Sequence, residues 1–140
     1  MSTGLDVFDA TIHKTNVWLK DIMQDLGWED RHKAYMALRL TLHALRDRLT
    51  PVEASQFGAQ LPMLIRGLYY EGWTPTGKPA RVRHTAEFLL PLRDYFKDDW
   101  QAEPAEIVRA VLRVITAHIS AGEVADIKHT LPDELKGLWA

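Results

Sequence analysis

Apolar residues recur along this chain in steps of three and four, the period of an α-helix. Phe8, Ile12, Leu19, Ile22 and Leu26, with Thr15 among them, share one face, and the stretch stops at Gly27, a residue suited to a left-handed C-cap. A second helix is expected from about Asp30 to Leu49, with Leu38, Leu42, Leu45 and Leu49 as its stripe. Thr50-Pro51-Val52-Glu53 joins a capping box to a proline at the first helical position, so a third helix starts there. Pro62 has no N–H and clashes with the preceding turn, which predicts a kink or a fresh short helix over about residues 61–70.

The same plan then returns at an offset of 70 residues. Leu61-Pro62 recurs as Leu131-Pro132 (131 − 61 = 70), and Gly67-Leu68-Tyr69 as Gly137-Leu138-Trp139. Arg39 matches Arg109, Leu42 matches Leu112, and Glu53 matches Glu123. Thr85, Leu89, Leu92 and Phe96 take the places of Thr15, Leu19, Ile22 and Leu26. Val108, Leu112, Ile115 and Ile119 reproduce the second stripe, and Ser120-Ala121-Gly122-Glu123 is expected to form a second capping box. The expectation is an all-α protein of two tandem homologous three-helix units packed into one helical bundle. Residues 1–70 form the first unit, 71–84 a linker punctuated by Gly and Pro, and 85–140 the second. Units of about 70 residues are marginal alone, so a shared core about a pseudo-twofold axis or a solenoid-like stack is favoured over two tethered bundles.

Composition narrows the function classes. A chain of 140 residues is about one domain, and 46% apolar with 26% charged residues is ordinary for a globular protein. Seventeen basic against nineteen acidic residues leave a net charge of −2, which argues against a general polyanion binder. The absence of cysteine removes disulfides, thiolate metal sites and thiol nucleophiles. The first residues, Met1 to Asp6, show no secretory signal, and no apolar run approaches the ~20 residues of a membrane span. A cytoplasmic location is expected.

The run from Leu42 to Ala54, then Gln60-Leu61-Pro62 and Arg66-Gly67-Leu68-Tyr69, repeated as Val111 to Val124, Thr130-Leu131-Pro132 and Lys136-Gly137-Leu138-Trp139, resembles the bacterial family known as domain of unknown function 2267. The resemblance implies a duplicated, all-α, small cytosolic protein. It implies no activity and brings no catalytic residues.

Candidate chemistry is sparse. The six histidines include no i, i+3 or i, i+4 His pair, and His-Glu-x-x-His is absent, so neither a metal nor a cofactor is expected. Asp9 with His13 and His43 with Asp47 are His–carboxylate pairs of a kind that usually make surface hydrogen bonds. No phosphate-binding glycine loop or nucleophile elbow occurs, and the protein is read as a non-enzyme. Tyr70 and Trp73, beside Gly72, have no aromatic counterparts in the repeat and are the candidate partner-binding residues; sealing the seam between the units is their structural alternative.

The leading expectation is a non-enzymatic interaction or scaffold module that binds another protein or itself, as a possible homodimer, through an exposed helix face or the Tyr70–Trp73 loop. Trp28 and Trp100 are the candidate residues for a dimer seam. The alternative is nucleic-acid binding through Arg39, Arg46, Arg81, Arg83 and Arg109, against which stands a structural role as helix caps or ion pairs. A third possibility is a small-molecule pocket lined by Trp18, Tyr69, Phe88 and Trp139, rings whose spacing also suits plain core.

Overall fold

The structure is a computed structural model and describes residues 2–139. Helix α1 spans Asp6–Leu26, and Gly27 ends it at φ 68°. The Trp28 N–H reaches back to the Met23 carbonyl at 2.9 Å, closing a Schellman turn. Helix α2 spans Arg31–Arg46, with the Asp30 carboxylate accepting from the Lys33 N–H. It ends three residues before the expected Leu49, because Arg48 and Leu49 bond to the carbonyls of Leu45 and Arg46 in tightened i→i+3 turns.

Helix α3, Pro51–Gln60, begins on a complete capping box: the Thr50 hydroxyl accepts from the Glu53 N–H at 3.2 Å and the Glu53 carboxylate from the Thr50 N–H at 2.9 Å. Pro62 starts a separate helix, α4, over Met63–Tyr70. The Arg66 guanidinium reaches back to cap α3 at the carbonyls of Gly58 and Leu61, both at 2.8 Å. The loop after α4 leads to α5 (Thr85–Tyr95), α6 (Pro104–His118), α7 (Ala121–Thr130) and α8 (Asp133–Lys136), and a single 3-10 turn follows at Gly137–Trp139. Eight α-helices are thus present among the described residues, four in each half of the chain rather than three, because each Leu-Pro step opens a fresh helix.

The second capping box forms only in part. The Ser120 hydroxyl accepts from the Glu123 N–H at 3.2 Å, but the Ser120 N–H donates to the Gln60 side chain at 3.3 Å instead of to Glu123. Burial, with Asp126 and Glu53 nearby, pushes the Glu123 carboxyl above its usual range, an environment unlike that of an N-terminal acceptor.

Helices α2 and α6 form the centre. They pack on each other, and α1 and α5 each pack against both of them. The stripes read from the sequence, Leu38, Leu42, Leu45 and Leu49 with Val108, Leu112, Ile115 and Ile119, are buried there in one cluster that runs from Trp18 to Trp139. The stripe of α1 behaves differently. Thr15, Leu19 and Ile22 are buried, whereas Phe8 and Ile12, on the same face, are exposed.

Candidate functional site

The basic flank of α2 is a set of caps for α4. A helix ends with carbonyls that have no partner inside it. His43 Nε2 lies 2.7 Å from the Leu68 carbonyl, and because a carbonyl only accepts, Nε2 carries the hydrogen. The Arg46 guanidinium donates to the carbonyls of Tyr69 at 2.6 Å and Glu71 at 2.7 Å, and its Nε pairs with Asp47 at 3.1 Å. Arg46 is 6% exposed, which removes it from a phosphate-binding surface. Arg39 pairs with the Glu71 carboxylate at 2.7 Å, and Arg109 with Glu106 at 2.7 Å. Arg81 and Arg83 are exposed in the loop before α5. Burial holds His43 below the usual histidine range despite its carbonyl partner, and the Arg39 hydrogen bond holds Glu71 below the usual carboxylate range.

Tyr70 and Trp73 are half-buried and pack on the core. The rings of Tyr69, Tyr70 and Trp73 form a chain, with centroids 4.8 Å apart in the first pair and 5.7 Å in the second. Tyr70 lies so close over Gly58 that a Cβ there would collide with its ring and hydroxyl. Tyr69 is fully buried and donates to the Ala54 carbonyl at 2.8 Å, and burial drives its phenol far above the ordinary range. Trp18, Tyr69, Phe88 and Trp139, expected as a pocket lining, are all buried in the core. Trp28 is also buried, against Phe96, with the Lys33 ammonium 4.3 Å from its ring centre, so it offers no dimer seam; Trp100 is 90% exposed.

An open apolar groove of about 1040 Å³ is walled by α1, the start of α2 and α4. Phe8, Ile12 and Leu19 line one side, Met63, Leu64 and Leu68 the other, and Tyr35 closes it toward α2. Its geometry is fixed by a short bridge: the Leu64 N–H, unmatched at the start of α4, donates to the Thr11 hydroxyl at 2.9 Å. Arg31 and His32 stand exposed at the end near Leu19. Six of the ten large hydrophobic residues exposed among those described, Leu5, Val7, Phe8, Ile12, Met63 and Leu64, lie in or beside the groove and are between 40% and 53% exposed. Periodicity found the α1 stripe but not that its first turns lie outside the core. The signal that marks α4 is Met63-Leu64, which stands where the second copy has Asp133-Glu134.

A second, more polar hollow of about 570 Å³ lies between α1 and the end of α6, lined by His13, Lys14, Arg66 and His118. His118 stacks on Trp18 at 5.0 Å and bonds to Asp21 at 2.8 Å. Close by, Arg113 forks onto Asp25 at 2.7 and 2.8 Å, so these polar groups tie α6 to α1. Among the described residues no cluster of His, Asp and Glu has a metal-binding arrangement, and no helix is long and apolar enough to cross a membrane.

No curated protein matches the chain. Residues 15–138, which include all the helices except the first turns of α1, match the family described as "Uncharacterized conserved protein (DUF2267)", and the chain belongs to that family.

Proposed function

We propose that this chain is a non-enzymatic protein-interaction module, built from two homologous helical units, and that the groove between α1 and α4 is its docking surface. The observation that carries this reading is the contiguous exposed apolar surface of Phe8, Ile12, Met63 and Leu64 around an open groove. Apolar patches of this kind, rimmed by polar residues, mark binding sites on proteins that otherwise cover such surface. The fold does not require the patch. At the equivalent places 70 residues on, Phe8 becomes Lys78, Met63 becomes Asp133 and Leu64 becomes Glu134. There the Glu134 carboxylate takes the Thr85 N–H and faces His84, a polar junction between α8 and α5. The same helix pairing is thus closed by charge in one half and left apolar in the other.

The two-unit reading has support of its own. α3 and α7 are ten residues each and start 70 apart (121 − 51 = 70), and they pack against each other. The central pair α2 and α6 is flanked by the first helix of both halves, an arrangement that a pseudo-twofold axis would generate. Tyr70 and Trp73 then serve as the seam that holds the loop on the first unit. Nucleic-acid binding is not favoured, because Arg46 is buried and Arg39 and Arg109 are committed to carboxylates.

The test compares wild type with Leu64→Glu, a surface change that leaves every buried residue in place. Apolar dye binding and chemical crosslinking, with circular dichroism as the folding control, are read on both. Dye and crosslinks present in wild type and lost in the folded variant are the expected result. Identical behaviour of the two proteins refutes the groove as the docking surface.

A further inference from the structure

The two ends of the groove differ in character. Leu5 and Val7, each about half exposed, do not line the groove but stand beside it at the start of α1. One surface therefore presents apolar knobs next to an apolar slot. The first turn of α1 carries Asp6, and the far end of the groove, near Leu19, carries Arg31 and His32. The patch is acidic at the Asp6 end; at the other, the Glu71 carboxylate that also lines the groove is neutralised by Arg39 at 2.7 Å, so Arg31 sets the sign there.

On this reading of the groove as an interaction surface, we propose that its occupant is a second copy of this chain, seated as an antiparallel, two-fold α1–α1 pair. A two-fold axis near Ile12 sets position 12 − k of one helix against 12 + k of the other, so Leu5 of one copy falls opposite Leu19 of its partner. The Leu5 knob enters the far end of the slot, and Asp6 arrives beside Arg31 and His32, twice by symmetry. The stretch of α1 from Phe8 to Leu19 is about 17 Å long at 1.5 Å per residue, enough for three turns of the partner helix. Asp9 keeps its own partner, the Thr3 N–H at 2.8 Å, and does not compete for the arginine. The contact is isologous and closes at two copies, so it leads to a dimer and not to a fibre.

Within one chain Asp6 and Arg31 cannot pair. Asp6 stands in the first turn of α1, whereas Arg31 starts α2 at the groove end level with Leu19, thirteen residues or about 20 Å farther along α1. A charge exchange between them therefore reports on two copies only. The experiment is sedimentation equilibrium over a concentration series on wild type, Leu5→Asp, Asp6→Lys, Arg31→Asp and the Asp6→Lys/Arg31→Asp double variant. Wild type is expected at twice the 16.0 kDa of one chain. Each single variant should weaken association about tenfold or more, and the double variant should recover most of that loss. A wild type that stays monomeric at the highest concentrations, or a double variant no better than the singles, overturns the proposal. Apolar dye binding separates this failure from failure of the groove itself. A monomeric wild type whose dye signal is lost in Leu64→Glu keeps the docking surface and loses only the second copy as occupant. A monomer without that signal loses both.

Discussion

Replacing Arg46 by methionine removes a buried guanidinium while keeping most of its stem, and its effect can be worked from three contacts. The side chain is 6% exposed, donates to the carbonyls of Tyr69 and Glu71 at 2.6 and 2.7 Å, and pairs with Asp47 at 3.1 Å. A hydrogen bond from a charged group contributes about 1.5–3 kcal/mol, and a buried carbonyl left without a partner costs about 1–3 kcal/mol. The desolvation of the guanidinium, relieved in the variant, offsets part of the sum. The net loss should be about 3 kcal/mol. At ~2.1 cal/mol/K of unfolding entropy per residue, 140 residues give ~0.3 kcal/mol/K, so Tm should fall by about 10 °C. The assay is urea unfolding followed by far-UV circular dichroism, with Arg109→Met, an exposed i, i+3 pair, as the reference. That reference should change stability by less than about 0.5 kcal/mol. If Arg46→Met is no more damaging than Arg109→Met, the assignment of the basic flank of α2 to capping α4 is wrong.

Three other outcomes follow from the same geometry. His43 is held below its ordinary range, so the unfolded chain takes up a proton first as pH falls; stability should decline below about pH 6.5, by at most ~1.4 kcal/mol per pH unit from this site, and urea midpoints from pH 7.5 to 5 should show a shallower decline in His43→Gln. Gly58→Ala sets a methyl group against the Tyr70 ring and should cost about 1–3 kcal/mol, a loss reduced in a Tyr70→Leu background, and a double-mutant cycle giving no coupling between the two sites would contradict the packing. Glu53→Ala should lose about 1 kcal/mol by removing the arm that holds the Thr50 N–H, and Glu123→Ala less, since the Ser120 N–H bonds to Gln60 instead; equal thermal shifts would count against the asymmetry.

The two capping sites divide into a local part and a long-range part. Both cap motifs are local, so the position of α3 and α7 could be read from four residues each. Whether the second box closes depended on Gln60, sixty residues away, taking the Ser120 N–H. The Leu-Pro steps likewise announced a break, and the tertiary contacts made each break a new helix, with Arg66 capping the end of α3.

What the sequence by itself determined is the helical class, the capped helix starts, the stop at Gly27, the Leu-Pro breaks, and the stripes that became the core. Those features rest on short-range physics: the 3.6-residue period, the missing N–H of proline and the reach of a capping side chain. What only the tertiary structure decided is the fate of side chains whose type fits two roles. Arg46 is as suitable for a phosphate as for a helix end, and the approach of α4 buried it against two carbonyls. Phe8 and Ile12 share their face with Leu19 and Ile22, and yet they stay exposed because they face α4 across an open groove and not across a packed seam. Periodicity records which residues share a face, and the neighbouring helices decide how far along that face anything covers them.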